Sequence, residues 1–141
     1  MIVVNLRYKI WLMQAEDDLQ AALSIAKDGF YEWACFISEQ STEKAIKAII
    51  VANNEIAPKL HKLSALVNIA KKIDHRFIDS KFEVKELGVF TFIARYPFLI
   101  PGETNAPHSY ITLEDAKLCI QKATINLNIV RTLLIESKVS F

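Results

Sequence analysis

The segment "TLEDAKLCIQKATINLNIVRTLL", residues 112–134, carries the clearest helical pattern in the chain. Its first four letters have the form of a capping box, in which the Thr112 hydroxyl accepts a hydrogen bond from a free amide and Asp115 reaches back. Apolar side chains then recur every three or four residues, as they do on one face of an α-helix. These positions are Ala116, Ile120, Ala123, Leu127, Val130 and Leu134. The segment therefore predicts a long amphipathic helix.

Four earlier segments carry the same period, over about residues 5–27, 31–53, 59–73 and 79–95. They are long because only three glycines and four prolines interrupt the 141 residues. Gly29, in "KDGF", suits the left-handed residue that follows a helix, since it has no side chain to clash. Gly88, inside the fourth segment, either weakens that helix or marks close packing.

Outside "MIVV" at residues 1–4, no alternating strand pattern of useful length appears. We therefore predict an all-α fold, an up-and-down four-helix bundle with a short additional helix between the second and the fourth. A chain of this length suits a single domain over residues 1–141.

The second segment presents two different stripes. Small side chains on one stripe let another helix approach closely, so we expect that stripe inside the bundle. Its members are Ala34, Ile37, Ser41, Ala45, Ala48 and Ala52. The other stripe mixes aromatic and polar side chains, namely Trp33, Phe36, Gln40, Glu43 and Lys47.

Composition narrows the function classes. The 17 basic and 16 acidic residues nearly cancel in charge. The sequence therefore does not indicate the strong positive surface potential that is typical of nucleic-acid-binding proteins. Cys35 and Cys119 lie inside helical apolar patterns and are expected to be buried thiols. Asp17 and Asp18 are adjacent, but no other residue stands at metal-ligand spacing, so we predict neither a metal nor a cofactor.

Charged residues occur too early in the N-terminal segment for the apolar core of a signal peptide. No apolar run approaches the ~18 residues that a membrane span requires. We expect a soluble cytoplasmic protein that does not engage a membrane. The hydrophobic fraction, 52%, is high for one small bundle and predicts a homodimer with apolar surface at its interface.

Several short motifs follow one another in a characteristic order. The second segment contains Gln-x-x-Glu-Lys-x-x-Lys, the next opens with a His, and the fourth ends in Arg-Tyr-Pro. These residues are Gln40, Glu43, Lys44, Lys47, His61, Arg95, Tyr96 and Pro97. In this order the chain resembles the HEPN (higher-eukaryote and prokaryote nucleotide-binding) domain family over nearly its whole length.

The resemblance implies a helical bundle that forms homodimers. Many HEPN domains are encoded beside a minimal nucleotidyltransferase and bind it, in toxin–antitoxin-like pairs. Others are metal-independent endoribonucleases, in which an Arg and, after a short spacer, a His meet at the start of the last long helix. The His acts as general base or acid on the ribose 2′-hydroxyl, and the Arg stabilises phosphate charge in the transition state.

This chain departs from the nuclease pattern. After Arg95 the next histidine is His108, and residues 96–107 between them include three prolines. The spacing favours an irregular loop with one anchored Arg over a nuclease pair. Arg95 then caps the C-terminus of its helix, where cations are favoured. Alternatively, its planar guanidinium group binds a phosphate beside Tyr96.

The remaining candidates carry two interpretations each. Glu43, Lys44 and Lys47 are expected to bind phosphate or a partner, or Glu43 and Lys47 form an ordinary pair on one helix face. Gln40 is expected to contact the same ligand or to be a buried polar bridge. His61 binds that ligand, or caps and packs near a helix start.

Two functional hypotheses follow. The first is a non-catalytic, nucleotide- or partner-binding homodimer that acts with a minimal nucleotidyltransferase. The second is a metal-independent endoribonuclease with an atypical site built from Arg95 and His108.

Overall fold

The computed structural model describes residues 6–96 and 106–139, and these residues form helices and connecting turns without any strand. The helices are α1 (Tyr8–Lys27), α2 (Tyr31–Ala52), α3 (Leu63–Ile73), α4 (Lys85–Arg95) and α5 (Leu113–Val139). Two short 3-10 turns, His75–Phe77 and Pro107–Ser109, precede α4 and α5. The all-α prediction is confirmed. The "MIVV" segment and Pro97 lie outside the described residues.

Helix α2 is the central element, because it packs against α1, α3, α4 and α5. Its small stripe lies in the core as predicted, with Ala34, Ala45 and Ala48 fully buried. The Ser41 hydroxyl donates a hydrogen bond of 2.7 Å to the carbonyl of Ala15 in α1. Such a contact requires the two helices to approach closely, which the small side chains allow.

Local signals predicted two helix ends correctly. In the capping box of α5, the Thr112 amide donates to an Asp115 carboxylate oxygen at 2.9 Å, and the Asp115 amide donates to the Thr112 hydroxyl at 3.2 Å. Gly29 follows α1 with φ of +88°, in the left-handed region that favours glycine.

The start of α4 corrects the sequence-based boundary, because the helix begins at Lys85 and not near residue 79. The buried side chain of Asn126 in α5 accepts a hydrogen bond from the Glu83 amide at 3.1 Å and donates one to the Glu83 carbonyl at 2.8 Å. This pair of hydrogen bonds holds Glu83 in the segment that precedes the helix. Similarly, α3 begins at Leu63, four residues after the expected position.

Gly88 does not mark close packing, because a Cβ atom at this position would meet no heavy atom within 4 Å.

The two cysteines are free and buried, as expected. Hydrogen bonding to Cys35, together with burial, raises the pKa of the Cys119 thiol far above its usual range. The described helices include none that is long and apolar enough to cross a membrane.

Candidate functional site

One face of α2 carries charged side chains that the bundle buries. Glu32, Glu39, Glu43 and Lys47 follow one another at spacings of seven, four and four residues, which places them along one side of the helix. All four are buried. Buried charges are rare unless they are paired or hydrogen-bonded, so the partners of this face define the candidate site.

The first of these charges holds His108. Its Nδ1 atom lies 2.8 Å from a carboxylate oxygen of Glu32, and its ring centroid lies 6.2 Å from that of Phe30. Glu32 is buried, whereas 57% of the His108 side chain is exposed. A carboxylate at Nδ1 orients the ring and leaves Nε2 for a ligand.

Arg95 is the last residue of α4, and two aromatic rings hold its guanidinium group. The guanidinium carbon lies 5.3 Å from the ring centroid of Phe36 in α2 and 5.2 Å from that of Tyr96. Arg95 remains exposed, and among the described residues no carboxylate forms an ion pair with it. Cation–π contacts of this kind fix the group without neutralising it.

The structure brings the anchors of Arg95 and His108 together. Phe36 and Glu32 are four residues apart on α2, so they are neighbours one turn apart on the same face. The turn that carries His108 also packs against α4. Two residues that the sequence separates by a proline-rich stretch are therefore anchored on adjacent turns of one helix.

The third part of this face joins Glu43, Lys47 and His61. The Lys47 ammonium lies 3.3 Å from a Glu43 oxygen, and both side chains are only 5% exposed. The His61 Nδ1 atom lies 3.3 Å from both Glu43 oxygens, and its side chain is 79% exposed. The expected Glu43–Lys47 pair is present, but it is buried and not on the helix surface, and Lys47 also lies 5.6 Å from the Trp11 ring.

Lys44 lies outside this arrangement. Its ammonium group pairs with Asp18 of α1, and Asp18 also accepts a hydrogen bond of 2.9 Å from Gln14. This pair links α1 to α2. Asp17 is exposed and Gln40 is half-buried.

A cleft of about 870 Å³ lies between α2, the start of α3 and α4. Arg95 lines it together with His61, so the cleft connects two of the predicted residues. Its other polar lining includes Glu39, Lys62 and Lys85, none of which the motif analysis singled out. Glu32 was also missed, although the seven-residue spacing from Glu32 to Glu39 on a small-residue helix was a usable signal.

No group of His, Cys, Asp and Glu side chains in the described part of the chain has an arrangement that could hold a metal ion. The site presents a guanidinium group held on aromatic rings, two histidines each beside a buried glutamate, and lysines that line a partly apolar cleft.

Fold and site together define a small helical protein with a cationic cleft beside its central helix. The family model of the HEPN domain matches residues 8–133. The chain belongs to the HEPN domain family.

Three known proteins resemble it over most of their length. A protein of Methanocaldococcus jannaschii named "Putative toxin MJ1304" is 27% identical over 140 residues, covering 94% of this chain and 91% of that protein. The crystal structure of TT1696 from Thermus thermophilus has a TM-score of 0.73 and 25% identity, covering 89% of this chain and 97% of that one. ST0689, described as an archaeal HEPN homologue, has a TM-score of 0.63 and 30% identity over 90% of this chain and 97% of its own.

Proposed function

We propose that this HEPN-domain protein binds the phosphate groups of RNA or of a nucleotide, with Arg95 as the principal contact. The observation that carries the proposal is the state of its guanidinium group, which is exposed at the cleft, stacked on two aromatic rings and not ion-paired with any described carboxylate. The planar guanidinium group can donate hydrogen bonds to two phosphate oxygens at once. Because the aromatic rings already order this group, it loses less conformational entropy when a ligand binds.

The surroundings of Arg95 support the same ligand. Lys62 and Lys85 line the cleft with it and add positive charge. The alternative role, a charge at the C-terminus of α4, is compatible with this position. A cap needs only a positive charge, however, whereas a phosphate clamp needs the guanidinium geometry.

The experiment compares Arg95→Lys with Arg131→Lys, a matched control on α5 whose partly exposed side chain pairs with Glu16 of α1. Binding of a fluorescently labelled mixed-sequence RNA is measured by anisotropy at two salt concentrations. We expect Arg95→Lys to fold normally and to lose about tenfold in affinity, since a bidentate charged contact contributes ~1.5 kcal/mol or more. Unchanged RNA and nucleotide affinity in Arg95→Lys would contradict the proposal.

A second candidate function is metal-independent endoribonuclease activity, favoured by the Glu32–His108 contact one helical turn from the Phe36–Arg95 contact. In this reaction His108 Nε2 removes the proton of a ribose 2′-hydroxyl, and the 2′-oxygen attacks the adjacent phosphorus. The bond to the 5′-oxygen breaks and this oxygen takes up a proton from water, which leaves a 2′,3′-cyclic phosphate and a 5′-hydroxyl. Glu32 stabilises the imidazolium that forms, and Arg95 stabilises the charge on the phosphoryl oxygens.

Cleavage separates the two candidates. Wild type, Arg95→Ala, His108→Ala and the control His75→Ala, whose histidine is exposed in the turn before α4, are incubated with mixed RNA in EDTA. Cyclic-phosphate products formed by wild type and His75→Ala, but by neither of the other two, would establish the nuclease. Intact RNA in all four reactions, together with Arg95-dependent binding, would establish the binding module.

We further propose that the protein acts as a homodimer with a minimal nucleotidyltransferase in a toxin–antitoxin-like pair. The support is the likeness to the Methanocaldococcus jannaschii protein whose name describes it as a toxin, together with the family membership. If the neighbouring reading frame encodes such an enzyme, co-expression of the two chains should yield a complex that survives gel filtration. Separate elution of the two chains would contradict this partner.

A further inference from the structure

A separate groove lies on the outer side of α5 and shares no described lining residue with the cleft. Its volume is about 640 Å³, within the range of small-molecule sites in proteins. One wall is formed by Ile125, Ile129 and Leu133, which follow one another at intervals of four residues and therefore share a side of α5. This apolar wall is about 12 Å long.

The opposite wall is the segment between α3 and α4, which contributes Arg76, Asp79 and Ser80. The charge of Arg76 is already balanced, because its guanidinium group donates to both carboxylate oxygens of Asp74, at 3.0 and 2.7 Å. Asp79 is exposed, and among the described residues no cation forms an ion pair with its carboxylate. Asp79 therefore gives this wall an uncompensated negative charge.

The cations that flank the wall of α5 are compensated as well. The Lys122 ammonium lies 3.6 Å from a carboxylate oxygen of Glu83, and the Arg131 guanidinium lies 3.2 Å from one of Glu16. Lys81, two residues after Asp79, does not belong to the described lining of the groove. The local charge therefore attracts a cation.

The two hydroxyl groups in the lining are available as hydrogen-bond acceptors. The Ser80 hydroxyl donates its proton to the Phe77 carbonyl at 2.7 Å. The Thr132 hydroxyl donates its proton to the Asn128 carbonyl at 2.9 Å. A hydroxyl has one proton and two lone pairs, so each of these oxygens can still accept a hydrogen bond but has no proton left to donate. An ammonium group, with three donors and no acceptor, matches these oxygens and the Asp79 carboxylate.

We infer that this groove binds a small amphipathic cation, a primary alkyl- or arylamine. Its apolar body packs along Ile125 and Ile129, and its ammonium group faces Asp79 and the hydroxyl oxygens of Ser80 and Thr132. An anion of the same shape is repelled by the carboxylate, and a neutral alcohol gains only the apolar contact. The inference is independent of the proposed phosphate binding, because neither Arg95 nor the cleft takes part in it.

The test titrates the isotope-labelled full-length protein with hexylamine, hexanol and hexanoate at low salt and follows the amide chemical shifts. We expect hexylamine to shift the amides of residues 76–80 and 125–133 in a saturable manner. Hexanol should bind more weakly than hexylamine, and hexanoate should bind most weakly. From butylamine to octylamine the affinity should rise about two- to fourfold for each added methylene, because each one buries further apolar surface against α5.

Two variants separate the charge from the apolar wall. Asp79→Asn should lower the affinity for hexylamine about threefold and leave that for hexanol unchanged, since it removes the charge and keeps the shape. Ile125→Ala should weaken both ligands, because it removes part of the apolar wall. Both side chains are exposed, so neither change should prevent folding. Asp17→Asn on α1 and Ile135→Ala on α5 are matched exposed controls outside the described lining.

Three results would overturn the inference. Equal affinities for hexylamine and hexanol, or a hexylamine affinity that Asp79→Asn leaves unchanged, would reduce the groove to an apolar surface without preference for a cation. Shifts that do not saturate, or that have no maximum at the groove, would remove the site itself. If Asp79→Asn halves the mass in light scattering, the groove is an interface with a second copy of the chain and not a small-molecule site.

Discussion

At the scale of single residues, the buried pair of Glu43 and Lys47 shows how burial changes the weight of an interaction. On an exposed helix surface the same pair contributes a few tenths of a kcal/mol. Here both side chains are almost inaccessible, so each charge depends on the other and on its remaining neighbours, His61 and Trp11. Removal of one partner leaves the other charge in a medium that solvates it poorly.

Lys47→Met should therefore lower the free energy of unfolding by about 3 kcal/mol, because it leaves the buried Glu43 carboxylate beside the exposed imidazole of His61 and without its cationic partner Lys47. The double variant Glu43→Gln, Lys47→Met should lose less than Lys47→Met alone, since it buries no unpaired charge. Urea unfolding measures both values. Lys117→Met, which removes an exposed partner of Glu114, is the control and should change little. Equal losses in Lys47→Met and in this control would show that the pair does not depend on burial.

Asp74 contributes stability that depends on pH. Its carboxylate accepts hydrogen bonds from the amide and the side chain of Arg76, at 3.1, 3.0 and 2.7 Å, and the Arg76 side-chain bond is the main reason that its pKa falls below the usual 3.8. Because the pKa is lower in the folded protein, the stabilisation is complete above pH 3.8 and is lost as the pH falls through the folded value.

Asp74→Asn should lower the free energy of unfolding at pH 6 by about 1 kcal/mol, a modest value because the Arg76 side chain is partly exposed and screened. The difference between wild type and Asp74→Asn should shrink as the pH falls below 3.8. Urea midpoints between pH 6 and pH 2.5 check this, with Asp17→Asn, an exposed site on α1, as the control. A difference that stays constant over the whole range would be evidence against a charged contribution of Asp74.

At the scale of elements, the start of α4 is decided by a side chain on another helix. Local periodicity through Phe82 extends the helical pattern back to about residue 79, but Asn126 bonds both backbone groups of Glu83. Phe82 instead packs on Phe77, with ring centroids 4.8 Å apart. The asparagine was not recognised from sequence, since a polar residue in the period of α5 resembles an ordinary surface position.

Asn126→Ala should lower the free energy of unfolding by about 1–3 kcal/mol, because it removes a buried side chain that hydrogen-bonds both the amide and the carbonyl of Glu83. Asn128→Ala is a matched control on the same helix, since that side chain is exposed and accepts a hydrogen bond from Arg131. Urea or thermal unfolding compares the two. A loss no greater than that of the control would show that water replaces both hydrogen bonds.

At the scale of the whole molecule, a second apolar surface is available on α1. Leu6, two residues before the helix, and Ile10 and Met13 within it recur at helical spacing, and each is more than half exposed. Apolar strips of this kind on a small protein are typical of association between subunits. This face lies on a helix that contributes no residue to the described lining of the cleft.

We expect light scattering at micromolar concentration to report twice the 16.0 kDa mass of the chain. Ile10→Lys should shift the mass to that of a monomer, because it places a charge in the centre of the apolar strip, and Lys117→Met should have no effect. A wild type that remains monomeric would contradict the homodimer. A dimer that persists in Ile10→Lys would assign the interface to another face.

Several features of this protein follow from its sequence alone. The five helical segments, the capping box at Thr112 and the glycine after α1 depend on residues that are close together in the chain, and the structure confirms them. The family also followed from sequence, because its motifs keep their residue types and their order across the chain.

The site was decided by the tertiary structure. Glu32 and His108 are 76 residues apart, and Asn126 and Glu83 are 43 apart, yet each pair forms hydrogen bonds. No local period encodes such contacts, since they depend on how α2 meets α4 and α5. The same packing buries Glu43 and Lys47 of α2 against each other and leaves Arg95 at the end of α4 exposed. In the sequence all three are charged residues of helical segments, and nothing local shows which of them will be buried. Burial is a property of the assembled helices, and it determines which charges stabilise the fold and which remain available to a ligand.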